Sequence, residues 1–493
     1  MKILLVNPYT ELQVAHRLQK AFLHLEPLDL EITAGGVPEE DEVQILDLSL
    51  EPKPAAAYRK TLAAYRPDMV GLSGYSTTLH IVRQLAETAK RCLSEVITVV
   101  GGIHATLRPG DYATGFVDII VRGEGGTAMH EIIRRHKAGE PLSFGSTSMS
   151  PHDPDFTTKI GSEFPEYTDV RDIPRPRRDL VDRSRYFCVW TSSDSGRLDT
   201  IFPRVASMRT SIGCSFSCSF CVIHQVMKKK YLQRDPEDVV DEIAGITEDH
   251  IYFVDDEMFI NGSRVRRIAE LLHERGIQKK YISWARSDTI VRQPDLFRLW
   301  REVGLDVVYV GLESMDESRL NDYKKQINSD TNRKAVSIIK ECGIMLHASF
   351  IVHPDFSEED FRGLEKTVAE ISPAEITFTV LSPSPGTPMW YENRDRFICD
   401  PFRNYDCMHS LLPTKLQLRQ FYQHFGRLYA LTLRANPLRL NKVKAPLRDI
   451  IKAIIGGSRY IFSLTLIYKD YPQAMWQKAG IEQLDNRMSN KSC

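Results

Sequence analysis

Apolar residues in the first 145 positions come in short runs, and the longer stretches between them mix Ala, Leu, Arg, Glu and Lys with helical spacing. Lys2 to Val6, Met69 to Gly74, Val96 to Val100 and Val117 to Val121 read as buried strands, and Ile81 to Cys92 as a helix. Strands alternating with helices predict a doubly wound parallel sheet, an α/β fold whose ligands bind beyond the carboxyl ends of the strands. Glycines and small hydroxyl residues gather at those ends.

The alternation returns between residues 201 and 400. A strand-like run leads into Cys214, Asp238 to Thr247 reads as a helix, and further strands are expected at His250 to Glu257, Tyr281 to Arg286, Asp306 to Ser314, Met345 to Val352 and Glu375 to Leu381. Six strand-helix units fall short of the eight of a closed barrel. A partial (β/α)6 barrel with an open side is predicted, and the open side can receive a second domain. Residues 146–200 are proline-rich and charged, which suits a stiff linker. Arg175, Arg177 and Arg178 read as its solvated face, with a phosphate contact as the other reading. Residues 401–493 form a helical block: Lys415 to Arg434 carries Phe421, Tyr422, Phe425 and Tyr429 with amphipathic spacing, and Ile450 to Tyr468 mixes apolar and basic residues. It suits a cap over the barrel mouth or a membrane interface.

The formal net charge of −1 over 493 residues leaves no electrostatic footprint for nucleic acid, so a small-molecule or lipid substrate is expected. The length suggests two to four domains. The apolar start, ended by Pro8, is too short for a signal-peptide core, and no run approaches the ~20 apolar residues of a membrane span. Nine cysteines, six of them scattered as Cys92, Cys188, Cys342, Cys399, Cys407 and Cys493, do not form a disulfide framework. A reducing cytoplasm fits.

The other three are close together: Cys214-Ser-Phe-Ser-Cys218-Ser-Phe-Cys221. Three thiolates on one loop can hold three irons of a 4Fe-4S cluster and leave the fourth open to a small molecule. A structural zinc site with His224 as fourth ligand is the other reading, but zinc sites usually pair their ligands as two separated knuckles. With Phe220 as the aromatic residue before the last cysteine, the spacing C-x3-C-x-aromatic-C resembles the radical S-adenosylmethionine (SAM) superfamily. The resemblance implies that SAM chelates the open iron and is cleaved reductively to a 5'-deoxyadenosyl radical.

Three glycine loops precede it: Gly71-Leu-Ser73-Gly74-Tyr-Ser76-Thr-Thr78, Gly101-Gly102-Ile-His104-Ala-Thr106 and Arg122-Gly123-Glu124-Gly-Gly126. Glycine there lets the backbone approach a flat ligand and reach φ > 0. As an ordered set ahead of the cysteine loop they resemble the cobalamin-binding domain of cobalamin-dependent radical SAM enzymes, which implies a corrin ring across the three loops. The Asp-x-His-x-x-Gly signature that supplies an axial histidine in other cobalamin proteins is missing, since Asn7, Pro8, Tyr9 and Thr10 follow the first strand. His104 has many uses besides metal binding, and no histidine is expected on cobalt.

At the strand ends of the second block, Asp255, Asp256 and Glu257 stand where the family holds the methionine amino group, although acids also cap helices. Glu313 is a candidate for the ribose hydroxyls and Arg286 for the SAM carboxylate, with an ordinary salt bridge as its alternative. Pro383-Ser-Pro-Gly-Thr-Pro388 is a tight turn and, by resemblance, a wall of the adenosine site. Over about residues 1 to 400 the chain resembles class B cobalamin-dependent radical SAM methylases. Leu25-Glu-Pro-Leu-Asp-Leu-Glu31, the His104 loop and Phe253-Val-Asp-Asp look most like the hopanoid C-3 methylase group; bacteriochlorophyll methylases and cyclases are similar too. The resemblance implies two uses of SAM, one to methylate cobalamin and one to abstract hydrogen from an unactivated carbon, which then receives the methyl group. It also implies an electron donor of flavodoxin or ferredoxin type. A radical oxidoreductase or cyclase acting on a tetrapyrrole shares these motifs, and a cobalamin or SAM sensor would lack need of an open iron. A peripheral site at the inner membrane face would suit a lipid substrate.

Overall fold

The computed structural model describes residues 1–161, 169–190, 199–435, 445–480 and 482–484. Parts of the expected linker, 162–168 and 191–198, and of the C-terminal block, including Cys493, lie outside the described residues. Sixteen strands, β1 to β16 in chain order, run through the described residues. Main-chain proximity divides the chain into two units, the first comprising Met1–Glu11, Glu26–Arg185 and Gln225–Lys228.

In the first unit β1 (Lys2–Asn7), β3 (Glu42–Asp47), β4 (Met69–Ser73), β5 (Ile97–Gly101), β6 (Ile119–Val121) and β7 (Ser148–Met149) form one sheet in the order β3-β1-β4-β5-β6-β7. The first five are parallel and β7 runs antiparallel at the edge. All five residues of β4 are buried, as expected for a strand covered on both faces. Edge strand β3 was not among the expected strands, because its exposed Glu42 and Gln44 interrupt the apolar run. The helix Leu79–Cys92 turns Leu79, Ile81, Val82, Leu85, Ala86 and Ala89 to the core. The helix Leu28–Gly35 packs on the helix Gly125–Ala138. A Cβ on Gly36 would lie 1.9 Å from the Gly126 carbonyl oxygen, so only glycine permits this approach.

One of the three linker arginines differs from expectation. Arg178 is not on a solvated face: its guanidinium bonds the buried Glu26 carboxylate, which also accepts from Arg183 at 2.6 Å. Glu31, 3.6 Å from Arg178, is fully buried, and burial together with Glu26 pushes its carboxyl up to about 8. Arg175 is exposed, and Arg177, paired with Asp179 at 2.8 Å, also keeps to the surface.

In the second unit β9 (Val205–Met208), β12 (His250–Phe253), β13 (Lys280–Ala285), β14 (Leu305–Glu313), β15 (Met345–Val352) and β16 (Glu375–Val380) form the six-stranded sheet β16-β15-β14-β13-β12-β9. All its pairings are parallel, with helices between successive strands from β12 onward. Side chains alternate between two packing layers: Val308, Val310, Leu346 and Ala348 join the main core, whereas Val205, Tyr252, Ile282, Val307 and Met345 pack with Trp190 near the amino-terminal strand ends. The short strands β2 (Leu23–His24) and β8 (Phe187–Cys188) pair with each other.

The single strand expected before Cys214 is two. After β9 the chain bends, and β10 (Ser211–Gly213) pairs antiparallel with β11 (Tyr231–Gln233). The helical block expected over the barrel mouth packs instead against β16 and the helix Glu358–Ile371. Tyr429 of the helix Leu418–Ala435 donates to the Phe378 carbonyl at 2.6 Å and accepts from its N–H at 3.0 Å, satisfying main-chain groups on edge strand β16.

Candidate functional site

The cysteine loop follows β10 and is tied down along its length. Ser219 donates through its N–H to Tyr323 O at 2.9 Å and through Oγ to Asp322 O at 3.0 Å. Ser384 Oγ donates to Phe220 O at 3.0 Å, which brings the proline turn onto the loop, and the Phe220 ring meets Tyr323 edge-on. Cys214, Cys218 and Cys221 are free thiols. Burial pushes Cys214 up to about 11 and Cys221 to about 12, against main-chain bonds at Phe216 and Ile223, and the neighbouring cysteines add to both. Three thiols on one tied-down loop suit a group whose irons take thiolate ligands. Among the described residues no three His, Cys, Asp or Glu side chains converge as they would around one ion.

The three acids after β12 each hold main chain. Asp255 accepts from Thr210 N at 3.0 Å, Thr210 Oγ1 at 2.7 Å and Ser211 Oγ at 2.5 Å, which fixes the bend between β9 and β10. Asp256 accepts from Gly213 N at 2.8 Å, immediately before Cys214. Glu257 accepts from Arg286 N at 2.6 Å and Phe259 N at 3.2 Å, and burial pushes it up to about 7. Arg286 stands beside the thiols: Nη1 is 3.5 Å from Cys218 Sγ, Nη2 donates to Lys325 O at 2.7 Å, Nε to Asp288 at 2.9 Å, and the guanidinium lies 3.6 Å over the Phe216 ring. Glu313 sits in the left-handed region at φ 59°, with buried Lys325 Nζ donating to its Oε1 at 2.5 Å and to Gly311 O at 2.6 Å.

Phe216 and Lys325 carry this geometry and were absent from the expected set; Phe216 lay inside the cysteine motif and was the more readable of the two. A row of rings was missed as well. Trp284, Tyr309 and His347 occupy adjacent register positions on β13, β14 and β15, with centroids 3.7 and 4.4 Å apart. His347 continues the row to β16, Nδ1 3.1 Å from Glu375 Oε2 and Nε2 2.7 Å from Thr377 Oγ1. Only the parallel register brings such distant positions side by side.

In the first unit the glycine loops lock into one another. Gly74 N donates to Gly101 O at 2.9 Å, and His104 N to Gly74 O at 3.2 Å. Gly102 has φ +98°, and a Cβ there would lie 2.8 Å from the Gly74 nitrogen and oxygen. Gly123 N donates to Thr106 Oγ1 at 3.0 Å, joining the third loop to the second. Ser73 Oγ donates to Asp29 at 2.5 Å. Glu124 caps the helix Gly125–Ala138, accepting from Gly126 N and Thr127 N at 2.7 and 2.8 Å. His104 is fully buried, Nδ1 2.9 Å from Ser76 Oγ and Nε2 3.1 Å from Asp111. Burial would raise the Asp111 carboxyl, but bonds to His104 and Arg108 hold it at about 2. Tyr75 is half-exposed in the first loop and was also missed. A ring of small residues and main-chain amides, with the histidine turned inward, offers a flat ligand close approach to the backbone.

A glycine-looped parallel sheet followed in the same chain by a six-stranded barrel with a three-thiol loop defines a B12-binding radical SAM protein. A B12 binding domain model matches residues 18–133 and a radical SAM superfamily model residues 208–368. The chain is 30% identical to the hopanoid C-3 methylase of Methylococcus capsulatus over 432 residues, covering 86% of this chain and 78% of that protein. It is 26% identical to the anaerobic magnesium-protoporphyrin IX monomethyl ester cyclase of Cereibacter sphaeroides, over 73% of this chain and 58% of that protein. The cobalamin-dependent S-adenosylmethionine radical enzyme OxsB shares the fold, with a TM-score of 0.65 at 16% identity over 100% of this chain and 75% of that one. The chain therefore belongs to the cobalamin-dependent radical SAM enzymes, in the family that includes hopanoid C-3 methylase. The family's cofactors are cobalamin, SAM and a 4Fe-4S cluster.

Proposed function

We propose that the protein is a methyltransferase acting on an unactivated carbon of a polycyclic, hopanoid-like lipid. When bound, the cluster with SAM supplies a hydrogen-abstracting radical and cobalamin supplies the methyl group. The observation that carries the reading is the sheltered three-thiol loop with Arg286 at Cys218, in a chain 30% identical to a hopanoid C-3 methylase.

Cys214, Cys218 and Cys221 hold the cluster. Arg286, fixed by Lys325 O and Asp288, places its guanidinium at the Cys218 sulfur. Asp255 and Asp256 hold the platform from which the loop springs, and Glu257 fixes the backbone of Arg286; in this assignment they position the elements that would hold the cluster and SAM. Glu313, presented at φ 59° and held by Lys325, would take the ribose hydroxyls of SAM. In the first unit Ser73, Gly74, Ser76, Gly101, Gly102, Gly123 and Glu124 shape the corrin surface, and His104 braces it from below through Ser76 and Asp111. The row Trp284, Tyr309 and His347 gives a flat apolar substrate a stacking wall, with Thr377 and Glu375 as its polar end. Electrons come from a flavodoxin- or ferredoxin-type donor.

The test is the SAM product profile of protein reconstituted without oxygen with iron, sulfide, cobalamin and a strong reductant. Both 5'-deoxyadenosine and S-adenosylhomocysteine are expected, together with a methylated product from a hopanoid-containing lipid extract. Deoxyadenosine alone would move the assignment to a radical oxidoreductase or cyclase, and neither product would move it to a sensor.

A further inference from the structure

Seven large hydrophobic side chains stand exposed among the described residues, and five of them, Leu447, Ile451, Ile454, Ile455 and Phe462, lie on the one helix Leu447–Thr465. At about 100° per residue they fall within an arc of roughly 100° along one side of that helix. The next arc, about 60° wide, holds Arg448, Arg459 and Lys452. Arg448 is 82% exposed, and Lys452 Nζ sits 4.1 Å over the Phe202 ring and 5.1 Å over Phe187.

The helix is not loosely placed. Its other side buries Tyr460 and Leu464, Tyr460 meets Phe22 and Tyr429 edge-on, and a neighbouring helix, Gln13–Ala21, packs against it. Its one acid, Asp449, is turned inward, accepting from Thr200 Oγ1 at 2.6 Å, with Oδ1 3.5 Å from Arg448 Nε. The outward face therefore carries an apolar stripe and a basic row, with no acid between them. Among the described residues no helix is long and apolar enough to cross a membrane.

We propose that the helix Leu447–Thr465 is an in-plane membrane anchor, seating its stripe at the acyl boundary of an anionic phospholipid bilayer with Arg448, Lys452 and Arg459 at the head groups. An apolar stripe bordered by basic residues is what an interfacial helix presents to such a surface. A second copy of the chain fits less well, since it would bring the same basic row and no acid to meet it. The anchor goes beyond the methyltransferase reading and holds whatever the substrate proves to be.

The experiment is sedimentation of the full-length protein with phosphatidylcholine vesicles made with and without phosphatidylglycerol. The wild type is expected to pellet with the anionic vesicles and to be released by salt. The double variant I451E/I455E stays in the supernatant, and R448Q/R459Q loses affinity for anionic vesicles by roughly fivefold per charge removed. Circular dichroism checks that both variants fold. Without vesicles, I451E/I455E gives the wild-type SAM product profile, so failure of the methyltransferase reading and failure of the anchor are read separately. Wild-type protein that ignores both vesicles, equal binding to neutral and anionic vesicles, or variants that bind as the wild type would overturn the proposal. So would a concentration-dependent dimer that I451E/I455E dissolves in the absence of vesicle binding, which would assign the stripe to a second copy.

Discussion

The strand ends of the two parallel sheets are built from different materials. In the first unit the loops after β4, β5 and β6 are joined by main-chain and hydroxyl bonds, with glycines where two backbones touch. In the second, the loop after β10 is held by charged side chains: the buried Asp255 and the solvent-facing Asp256 on its stem, Glu257 behind Arg286, and Arg286 against Cys218. A surface for a large flat ligand needs closeness of backbone, which glycine supplies. A loop carrying thiolates needs compensating charge and a fixed geometry, which buried carboxylates and an arginine supply at the cost of their own desolvation.

The comparison can be broken first at the thiols. Cys218→Ala should leave no iron-sulfur absorbance after reconstitution and take both SAM products to background, while cobalamin binding, read by its visible spectrum, persists. Next comes the glycine ring. Gly102→Ala forces a side chain into φ +98° and to 2.8 Å from Gly74, so a loss of about 1–3 kcal/mol and weaker cobalamin binding are expected, with iron content unchanged. Denaturant unfolding and cobalamin titration check it.

Asp255→Ala is the matching cut in the second unit. It strands the Thr210 and Ser211 donors and should cost about 1–3 kcal/mol, with lowered iron content and normal cobalamin binding. If it lowered cobalamin binding alone, the contrast between the two ends would fail.

A pH effect sharpens the charged side of the contrast away from the loop. His409 is buried between Asp406, 2.9 Å from Nδ1, and Asp470, 3.0 Å from Nε2. Burial opposes its charge, but the two carboxylates outweigh burial and hold the imidazole at about 9. A raised histidine stabilises the fold fully below about pH 6.5 and loses that contribution as pH rises through about 9. Discounted for the half-exposed Asp470, it is on the order of 2 kcal/mol. Unfolding free energy should fall across that window in the wild type and stay flatter in His409→Gln.

The smallest expected effect is none at all. Isotopic labelling of histidine should leave the cob(II)alamin electron paramagnetic resonance spectrum unchanged, because both nitrogens of His104 face Ser76 and Asp111. New nitrogen splitting would place a histidine on cobalt and overturn the reading of the ring as a backbone surface.

Local order was readable where a signal is contiguous. The cysteine loop, the three glycine turns and the parallel strands are each set by neighbours in sequence, and they were found within a few residues. Edge strand β3 was missed because its polar residues face solvent, and the break at Thr210 because the carboxylate that makes it comes from residue 255. Arg178 looked like a surface charge until the fold brought Glu26, far away in sequence, against it. For the acids after β12 composition told only that carboxylates stand at a strand end; their partners decided what they do.

By itself the sequence determined the class of this protein, its two sheets and the thiols that give it chemistry, because spacing along a loop and periodicity along a strand are local properties of the chain. Tertiary structure decided which charges are buried, which way His104 turns, that Trp284, Tyr309 and His347 form one row, and that the stripe on Leu447–Thr465 faces outward. Those are relations between residues far apart in sequence, fixed only when packing selects one neighbour for each side chain.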